Sequence, residues 1–466
     1  MSEDIFVSSD LLYLITADMA NHYHIVPSSL EQNKLTIFAD ESFDYRLQQD
    51  ELELLTGYLL NFIPKPSQEI QKALSTYYRK ERNVTAKTVT VDKSDFLETL
   101  LEEAQALKSS DIHFEVYEKS SRIRLRIDGQ LIERYKVERE NYLELVNKIK
   151  IRAKLNITEK RLPQDGRITN DQFDIRVSIL PTLFGEKIVM RLLGQDASNI
   201  DLKTLGFDSS ELELYKEAIK KPNGIILISG PTGSGKTTTL YATLKLLNDS
   251  KRNIVTVEDP IEYTLKGINQ VQLKEDIGLT FASALKSFLR QDPDIIMLGE
   301  IRDAETALMA IRASLTGHLV LSTIHTNSAI GTVSRLVDMG VPSYLLSETL
   351  NLSLAQRLVR KLCSCKKEIP VQVSDFPFHY TLPYEIETIY KPVGCNLCYH
   401  TGYKGRTAIY EIVPVDYNMA LAIKNNTFDK IGSEKNSYKS LSSKAFDLLE
   451  QGVTSLDEIY SILITQ

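Results

Sequence analysis

Short apolar runs alternate with helix-period segments over the second half of the chain. Ile225–Ser229, Ile254–Val257, Ile295–Leu298 and Leu319–Thr323 are continuous and uncharged, and each is separated from the next by enough sequence for a crossover. Strands buried on both faces and joined by helices form a parallel α/β sheet, and this pattern predicts one from about residue 205 onward. The carboxy end reads as helical, with Gly452 closing one helix and Ser455 and Glu458 spaced as a capping box for the last.

The first half is patterned differently. Residues 1–80 read as a small mixed module: helix-like from Leu11 to Tyr23, strand-like from Lys34 to Ala39, helical from Glu51 to Leu60. After Pro64 and Pro66, one more helix follows, with Ile70, Ala73, Leu74 and Tyr77 on one face. Arg79 to Lys93 is polar and reads as a linker (residues 81–93 at its narrowest), which would let the first module move relative to the rest. A second module spans 94–200. Its first helix, Ser94–Lys108, aligns Leu97, Leu100, Leu101 and Ala104. Arg122–Ile127 then alternates strictly, Ile123, Leu125 and Ile127 opposite Arg122, Arg124 and Arg126, before an Asp128-Gly129 turn. A helix over Tyr142–Leu155 and a strand around Phe173–Ile179 complete it.

With 466 residues, 42% apolar and 25% charged, the chain is an ordinary globular composition with room for about three domains. Its 55 basic against 62 acidic residues give −7, which argues against a protein that coats nucleic acid. No apolar run reaches the length of a membrane-spanning helix, and Glu3 and Asp4 stand where a signal peptide carries positive charge. The four cysteines lie between positions 363 and 398, too few for a disulfide scaffold, and point to a reducing, intracellular compartment.

The sharpest chemical signal is Gly230-Pro231-Thr232-Gly233-Ser234-Gly235-Lys236-Thr237, followed by Thr238, between a predicted strand and a helix carrying Leu240, Leu244 and Leu247. Glycines there turn backbone N–H groups around phosphates at a helix N-terminus, Lys236 reaches the β- and γ-phosphates, and the Thr237 hydroxyl holds Mg²⁺. Hydrolysis needs carboxylates near the γ-phosphate, and two clusters close neighbouring strands: Glu258-Asp-Pro-Ile-Glu262 and Glu300-Ile-Arg-Asp303. Gly299 stands where an aspartate usually precedes such a glutamate. His325, at a strand's carboxyl end before Thr326 and Asn327, is placed to hydrogen-bond a γ-phosphate; His318 is a weaker candidate at the other end.

These segments resemble the Walker A, aspartate-box, Walker B and histidine-box motifs of the ATPases that power type II secretion and type IV pilus assembly. Ser110-Asp-Ile-His-Phe-Glu115, Arg126-Ile-Asp-Gly129 and Leu162-Pro-Gln-Asp-Gly-Arg167 look like that family's preceding domain, and Gly402-Tyr-Lys-Gly-Arg-Thr-Ala-Ile-Tyr-Glu411 resembles its carboxy-terminal signature, so the likeness covers roughly residues 94–466. The resemblance implies a cytoplasmic homo-hexamer recruited peripherally to the inner membrane by platform and docking proteins. A RecA-like P-loop domain (205–466) follows a PAS-like α+β domain (94–200), with ATP and Mg²⁺ between them. It makes Glu262 the residue that orients water, Glu300 the Walker B glutamate and His325 a γ-phosphate contact. It also has arginines of the PAS-like domain reach the nucleotide, Arg167 and Arg176 being the best placed in sequence; the plain reading of Arg122, Arg124 and Arg126 is a solvated strand face.

Cys363-Ser-Cys365 and Cys395-Asn-Leu-Cys398 suit tetrahedral Zn²⁺ in a 363–398 subdomain, although the first pair is a C-x-C and a more strained chelate than the family's usual C-x-x-C. Free thiols or a disulfide are the alternatives. Pilus-retraction members of the family lack this module and the long amino-terminal extension, so the sequence favours assembly or export. Some relatives bind cyclic di-GMP in that extension through a repeated Arg-Leu-Gly pattern, which residues 1–80 do not carry; a small partner-docking domain is the expectation there. The competing function is a nucleic-acid translocase or DNA-uptake motor on the same core, which calls for a strongly basic face. A nucleotide-gated scaffold without hydrolysis is a third, disfavoured by the intact carboxylates.

Overall fold

The structure, a computed structural model, describes residues 7, 11, 14–31, 34–42, 45, 48–78, 87–89, 96–169, 174–193, 201–378, 380–428 and 438–464. Packing divides the chain into two compact units, Met1–Ala86 and Lys87–Gln466.

The first unit is a three-stranded sheet with helices. Strand β1 (Ile25–Glu31) runs antiparallel to β2 (Lys34–Asp40), which pairs in parallel with β3 (Leu59–Lys65). Ala20, Val26, Leu35, Ile37, Leu52, Leu60, Ile70 and Leu74 form its core. The helix expected over Glu51–Leu60 ends earlier: it spans Gln49–Thr56, and Gly57, at φ 76°, stops it so that Leu59 and Leu60 open β3. Pro64 is tolerated in β3 because that strand lies at the sheet edge. The helix predicted from Leu11 is the Ala17–Tyr23 helix, capped by Thr16; Leu12 and Tyr13 lie outside the described residues.

In the second unit, two seven-stranded sheets are present among the described residues. The first comprises β4 (Lys87–Val89), β5 (Asp111–Val116), β6 (Ser121–Ile127), β7 (Gln130–Val137), β8 (Gln164–Thr169), β9 (Asp174–Thr182) and β10 (Gly185–Leu193), in the order β4-β7-β6-β5-β10-β9-β8. β4 lies inside the segment read as a linker, where it pairs in parallel with β7; Phe173 and the rest of that linker lie outside the described residues. The helices Phe96–Ala106 and Arg139–Arg152 cover one face, packing Leu97, Leu100, Leu101, Leu145 and Ile149 on Ile112, Phe114, Leu125, Val177 and Ile188. Alternation places polar residues on the opposite face, and it is not simply solvated as expected. Buried Glu115 takes Arg122 Nε at 2.9 Å and Arg124 Nη2 at 2.6 Å, and Asp111 takes Arg191 Nε at 3.0 Å and Arg126 Nε at 3.5 Å.

The second sheet holds β11 (Gly224–Ser229), β12 (Ile254–Glu258), β13 (Asn269–Gln272), β14 (Ile295–Leu298), β15 (Leu319–Ile324), β16 (Leu350–Leu362) and β19 (Tyr403–Pro414), in the order β13-β12-β14-β15-β11-β16-β19. All neighbours are parallel except β16 and β19. The apolar runs are buried on both sides: Ile225 and Leu227 join one core, Ile226 and Ile228 the other. The long β16–β19 hairpin had no counterpart in the sequence reading. A small hairpin of β17 (Lys367–Pro370) and β18 (Thr388–Lys391) is inserted between its strands, next to the cysteines. At the carboxy end the spaced Ser455 and Glu458 have other partners. Ser455 shares a hydrogen bond with the Tyr403 hydroxyl, and Glu458 gives both carboxylate oxygens to Arg360.

The helix Ser209–Lys220 is held by a reciprocal capping box. Asp208 accepts the Glu211 N–H at 2.8 Å, and Glu211 accepts that of Asp208 at 2.9 Å. Burial works against the Asp208 carboxylate, but Lys444, the Glu211 amide and the Ser210 hydroxyl outweigh it and hold its pKa well below the ordinary value. A depressed carboxylate stabilises the fold above its unfolded pKa and loses that contribution as pH falls. Asp208→Ala is therefore expected to lower unfolding free energy by about 1–2 kcal/mol at pH 7, and the gap to wild type should close in denaturant melts below about pH 4.

Candidate active site

The P-loop leaves β11 and ends where the helix Lys236–Leu247 begins, as its strand–glycine–helix pattern requires. Gly230 has φ 147°, and a Cβ there would lie 2.6 Å from the Gln356 carbonyl oxygen; Gly235, at φ 91°, is the N-cap of the helix. Only glycine satisfies both positions. The Lys236 ammonium donates to the carbonyls of Gly230 (2.7 Å) and Pro231 (3.1 Å). Burial, aided by Arg357 and opposed by Glu300, pulls its pKa down. The Ser234 hydroxyl is buried with no protein partner, so the loop offers a polar group for an anion to engage.

The carboxyl ends of β12, β14 and β15 bring the other predicted residues to the same cleft, where open α/β sheets place their ligands. It has a volume of about 950 Å³, and Thr232–Thr238, Glu258–Pro260, Glu262, Glu300 and His325 line it. His325 Nε2 lies 3.1 Å from Glu300 Oε2, while Arg302 binds Glu300 Oε1 and, at 3.3 Å, Asp259. At Gly299 a Cβ would sit 3.3 Å from the Val257 carbonyl oxygen and 3.4 Å from the Glu258 Cα, so an aspartate there would press on the adjoining strand. His318 is elsewhere, before the start of β15, with Nδ1 at 2.9 Å from the Ala313 carbonyl oxygen.

The cleft's opposite wall comes from the first sheet: Ser110, Asp111, His113, Arg126 and Arg191, with Arg406 of β19 nearby. Arg167 and Arg176 are not among the lining residues. Arg167 forms a two-point pair with Asp174 on the neighbouring strand, and Arg176 donates to the Ile261 carbonyl at 2.7 Å. Of the arginines that do line the cleft, Arg126 was legible only within an alternating strand and a motif and Arg406 only within a motif, while Arg191 was missed, because their position depends on sheet register. Two contacts tie the walls at the far end. Asp128 accepts the Gly405 N–H at 2.8 Å, and Arg360 joins Gln130 to Glu458 while its guanidinium lies 4.0 Å from the centre of the Tyr403 ring.

The four cysteine sulfurs all lie within 4.8 Å of one another, and none is in a disulfide. Cys363–Cys395, Cys365–Cys398 and Cys395–Cys398 are each separated by 3.8 Å. That spacing matches a tetrahedron edge of about 3.8 Å for metal–sulfur bonds of about 2.3 Å. A turn closed by the Lys366 N–H on the Cys363 carbonyl at 2.9 Å spans the C-x-C pair. Backbone N–H groups of Cys395 and Gly402 point at Cys398 Sγ, at 3.1 and 3.2 Å. The donor set fits one metal ion.

Comparison with known proteins agrees with this geometry. The family profile described as "Type II/IV secretion system protein" matches residues 90–461, and the MshEN domain profile matches residues 3–84. The chain is 41% identical to the type IV pilus assembly ATPase PilB of Myxococcus xanthus over 98% of its own length and 87% of that protein. It is 46% identical to the type II secretion system protein E of Pseudomonas aeruginosa, over 78% of this chain and 74% of that one. Among solved structures, the pilus retraction motor PilT with bound ADP covers 79% of this chain and 97% of its own at a TM-score of 0.55 and 27% identity. The ATPase DotB of Legionella pneumophila, 22% identical, shares the fold over 81% of this chain and 98% of its own at a TM-score of 0.59. No helix among the described residues is long and apolar enough to cross a membrane. With P-loop, carboxylates and histidine around one cleft and a family match over most of the chain, this protein belongs to the type II/IV secretion system protein family, a family of ATPases.

Proposed function

We propose that this chain is a ring-forming motor that converts ATP hydrolysis into mechanical work for the assembly of a pilus or a secretion pseudopilus. The observation that carries it is the single cleft in which the P-loop, Glu262, Glu300 and His325 face an arginine-bearing sheet. In this reading residues 230–238 cradle the phosphates of ATP, Lys236 meets the β- and γ-phosphates, and Thr237 with Glu300 holds Mg²⁺, which polarises the γ-phosphoryl group when bound. Glu262 orients water, and His325, held by Glu300, contacts the γ-phosphate. Arg126, Arg191 and Arg406 already flank the cleft. Arg167 and Arg176 would reach a nucleotide by giving up Asp174 and the Ile261 carbonyl. A wall that carries cations couples nucleotide state to domain movement, because charge on the γ-phosphoryl group draws guanidinium groups toward it.

The partners in this proposal are further copies of the chain in a hexamer, and the inner-membrane platform and docking proteins that recruit it peripherally from the cytoplasm. In this proposal the metal of the 363–398 subdomain is Zn²⁺, which the all-thiolate, roughly tetrahedral donor set supports. The net charge of −7, and the pairing of Arg122 and Arg124 with Glu115, leave no strongly basic strand face there for a nucleic-acid motor, which disfavours that reading. The test is steady-state ATPase activity against protein concentration, with light scattering on the same samples. Specific activity should rise as hexamers form; activity independent of assembly would overturn the ring.

A further inference from the structure

Glu262 lies in the 259–268 connection, which has neither helix nor strand, so its placement depends on side chains that grip the backbone. The grip comes from a buried network. Tyr241, 1% exposed, sits on the P-loop helix four residues after Thr237 and therefore on the same face. Its hydroxyl donates to Glu258 Oε2 and accepts the Glu262 N–H at 3.3 Å. The other oxygen of Glu258, 3% exposed, accepts from Thr256 Oγ1 at 2.6 Å and from Gln270 Nε2 at 3.1 Å. Gln270 in turn donates to the Tyr263 carbonyl at 2.9 Å and accepts the Leu265 N–H at 2.6 Å. The Tyr263 ring meets Tyr241 edge-on, with centroids 5.8 Å apart.

We infer that Tyr241, anchored by Glu258, is a positioning residue that fixes Glu262 against the P-loop helix, so that the phosphate cradle and the water-orienting carboxylate move as one body. This rests on the proposed role of Glu262. The chemistry suits a rigid link: a hydroxyl bound to a buried carboxylate is a short, strong hydrogen bond, and a buried carboxylate that loses a donor is costly enough to favour keeping the network whole. Burial, with the Glu258 charge beside it, raises the phenol's pKa far above its ordinary value, so the hydroxyl stays protonated and able to donate at physiological pH.

The test uses the full chain with Tyr241→Phe, which keeps the ring and removes only the hydroxyl. Misplacing Glu262 slightly should lower kcat about ten- to a hundredfold, with KM and the affinity for a non-hydrolysable ATP analogue within about twofold of wild type. A merely structural role would lower thermal stability and nucleotide affinity together and leave kcat per folded molecule unchanged, which would overturn the inference. Gln270→Met loosens the same segment without touching the tyrosine and should give the same kcat-selective loss; a wild-type kcat there would also count against it. Glu262→Gln and its combination with Tyr241→Phe separate the two readings. If the double variant is no slower than Glu262→Gln alone, the tyrosine acts through the glutamate; independent, multiplying losses mean it does not. If Glu262→Gln keeps a wild-type kcat, the role of Glu262 fails and this inference with it. If Glu262→Gln is inactive and Tyr241→Phe is not, only the positioning role fails.

Discussion

Replacing Glu262 with glutamine is expected to lower kcat for ATP hydrolysis by about 10²- to 10³-fold while nucleotide still binds. Glutamine keeps the size and the hydrogen-bonding oxygen of glutamate but lacks the charge needed to take a proton from attacking water. The P-loop, Lys236 and Thr237 are untouched, so binding of a fluorescent ATP analogue should change by less than about threefold, within the range of a surface-like polar change. Single-turnover hydrolysis in the presence of Mg²⁺, on hexameric fractions, separates the chemical step from product release. A kcat within threefold of wild type would remove Glu262 from the mechanism. Glu300 then becomes the carboxylate to test, since it already holds His325 and Arg302 beside the P-loop.

The P-loop was readable from sequence because its geometry rests on contiguous residues: positive φ at Gly233 and Gly235, a lysine next, and helix immediately after. The parallel sheet was readable for a similar reason, as strands buried on both faces leave no exposed positions in β11, β12, β14 and β15 and therefore read as short apolar runs. What sequence did not disclose depends on partners far along the chain. Arg191 is fixed by Asp111, eighty residues away, and Arg176 by the Ile261 carbonyl. An alternating strand reveals which residues share a face but not which neighbouring strand supplies the counter-charge. Glu258 was visible inside a motif, yet its role follows from Tyr241 and Gln270, brought to it from the P-loop helix and from β13. β16 was missed because Leu350, Leu352 and Leu354 alternate only over its first half, and its antiparallel partner begins beyond the whole cysteine insertion.

Cys398→Ser is expected to empty the tetracysteine site and loosen residues 363–402 together. Cys398 is 2% exposed, and the backbone N–H groups of Cys395 and Gly402 both point at its sulfur. A serine oxygen sits too close to its own backbone to complete the tetrahedron and is a poor ligand at neutral pH. Metal binding to structural thiolate sites contributes about 10–16 kcal/mol in small zinc domains, so even a fraction of that is large beside the stability of a short β17–β18 hairpin. Elemental analysis should find one zinc per wild-type chain and close to none in the variant, and limited proteolysis should open the variant, but not the wild type, between residues 363 and 402. Because the cysteines lie between β16 and β19, which carry Arg360 and Arg406 to the far end of the cleft, the loss should also weaken nucleotide binding through the Arg360–Gln130 and Gly405–Asp128 contacts. Wild-type protein purified without metal, with four reactive thiols and an unchanged proteolysis pattern, would overturn the zinc assignment and leave the cysteines as packed free thiols.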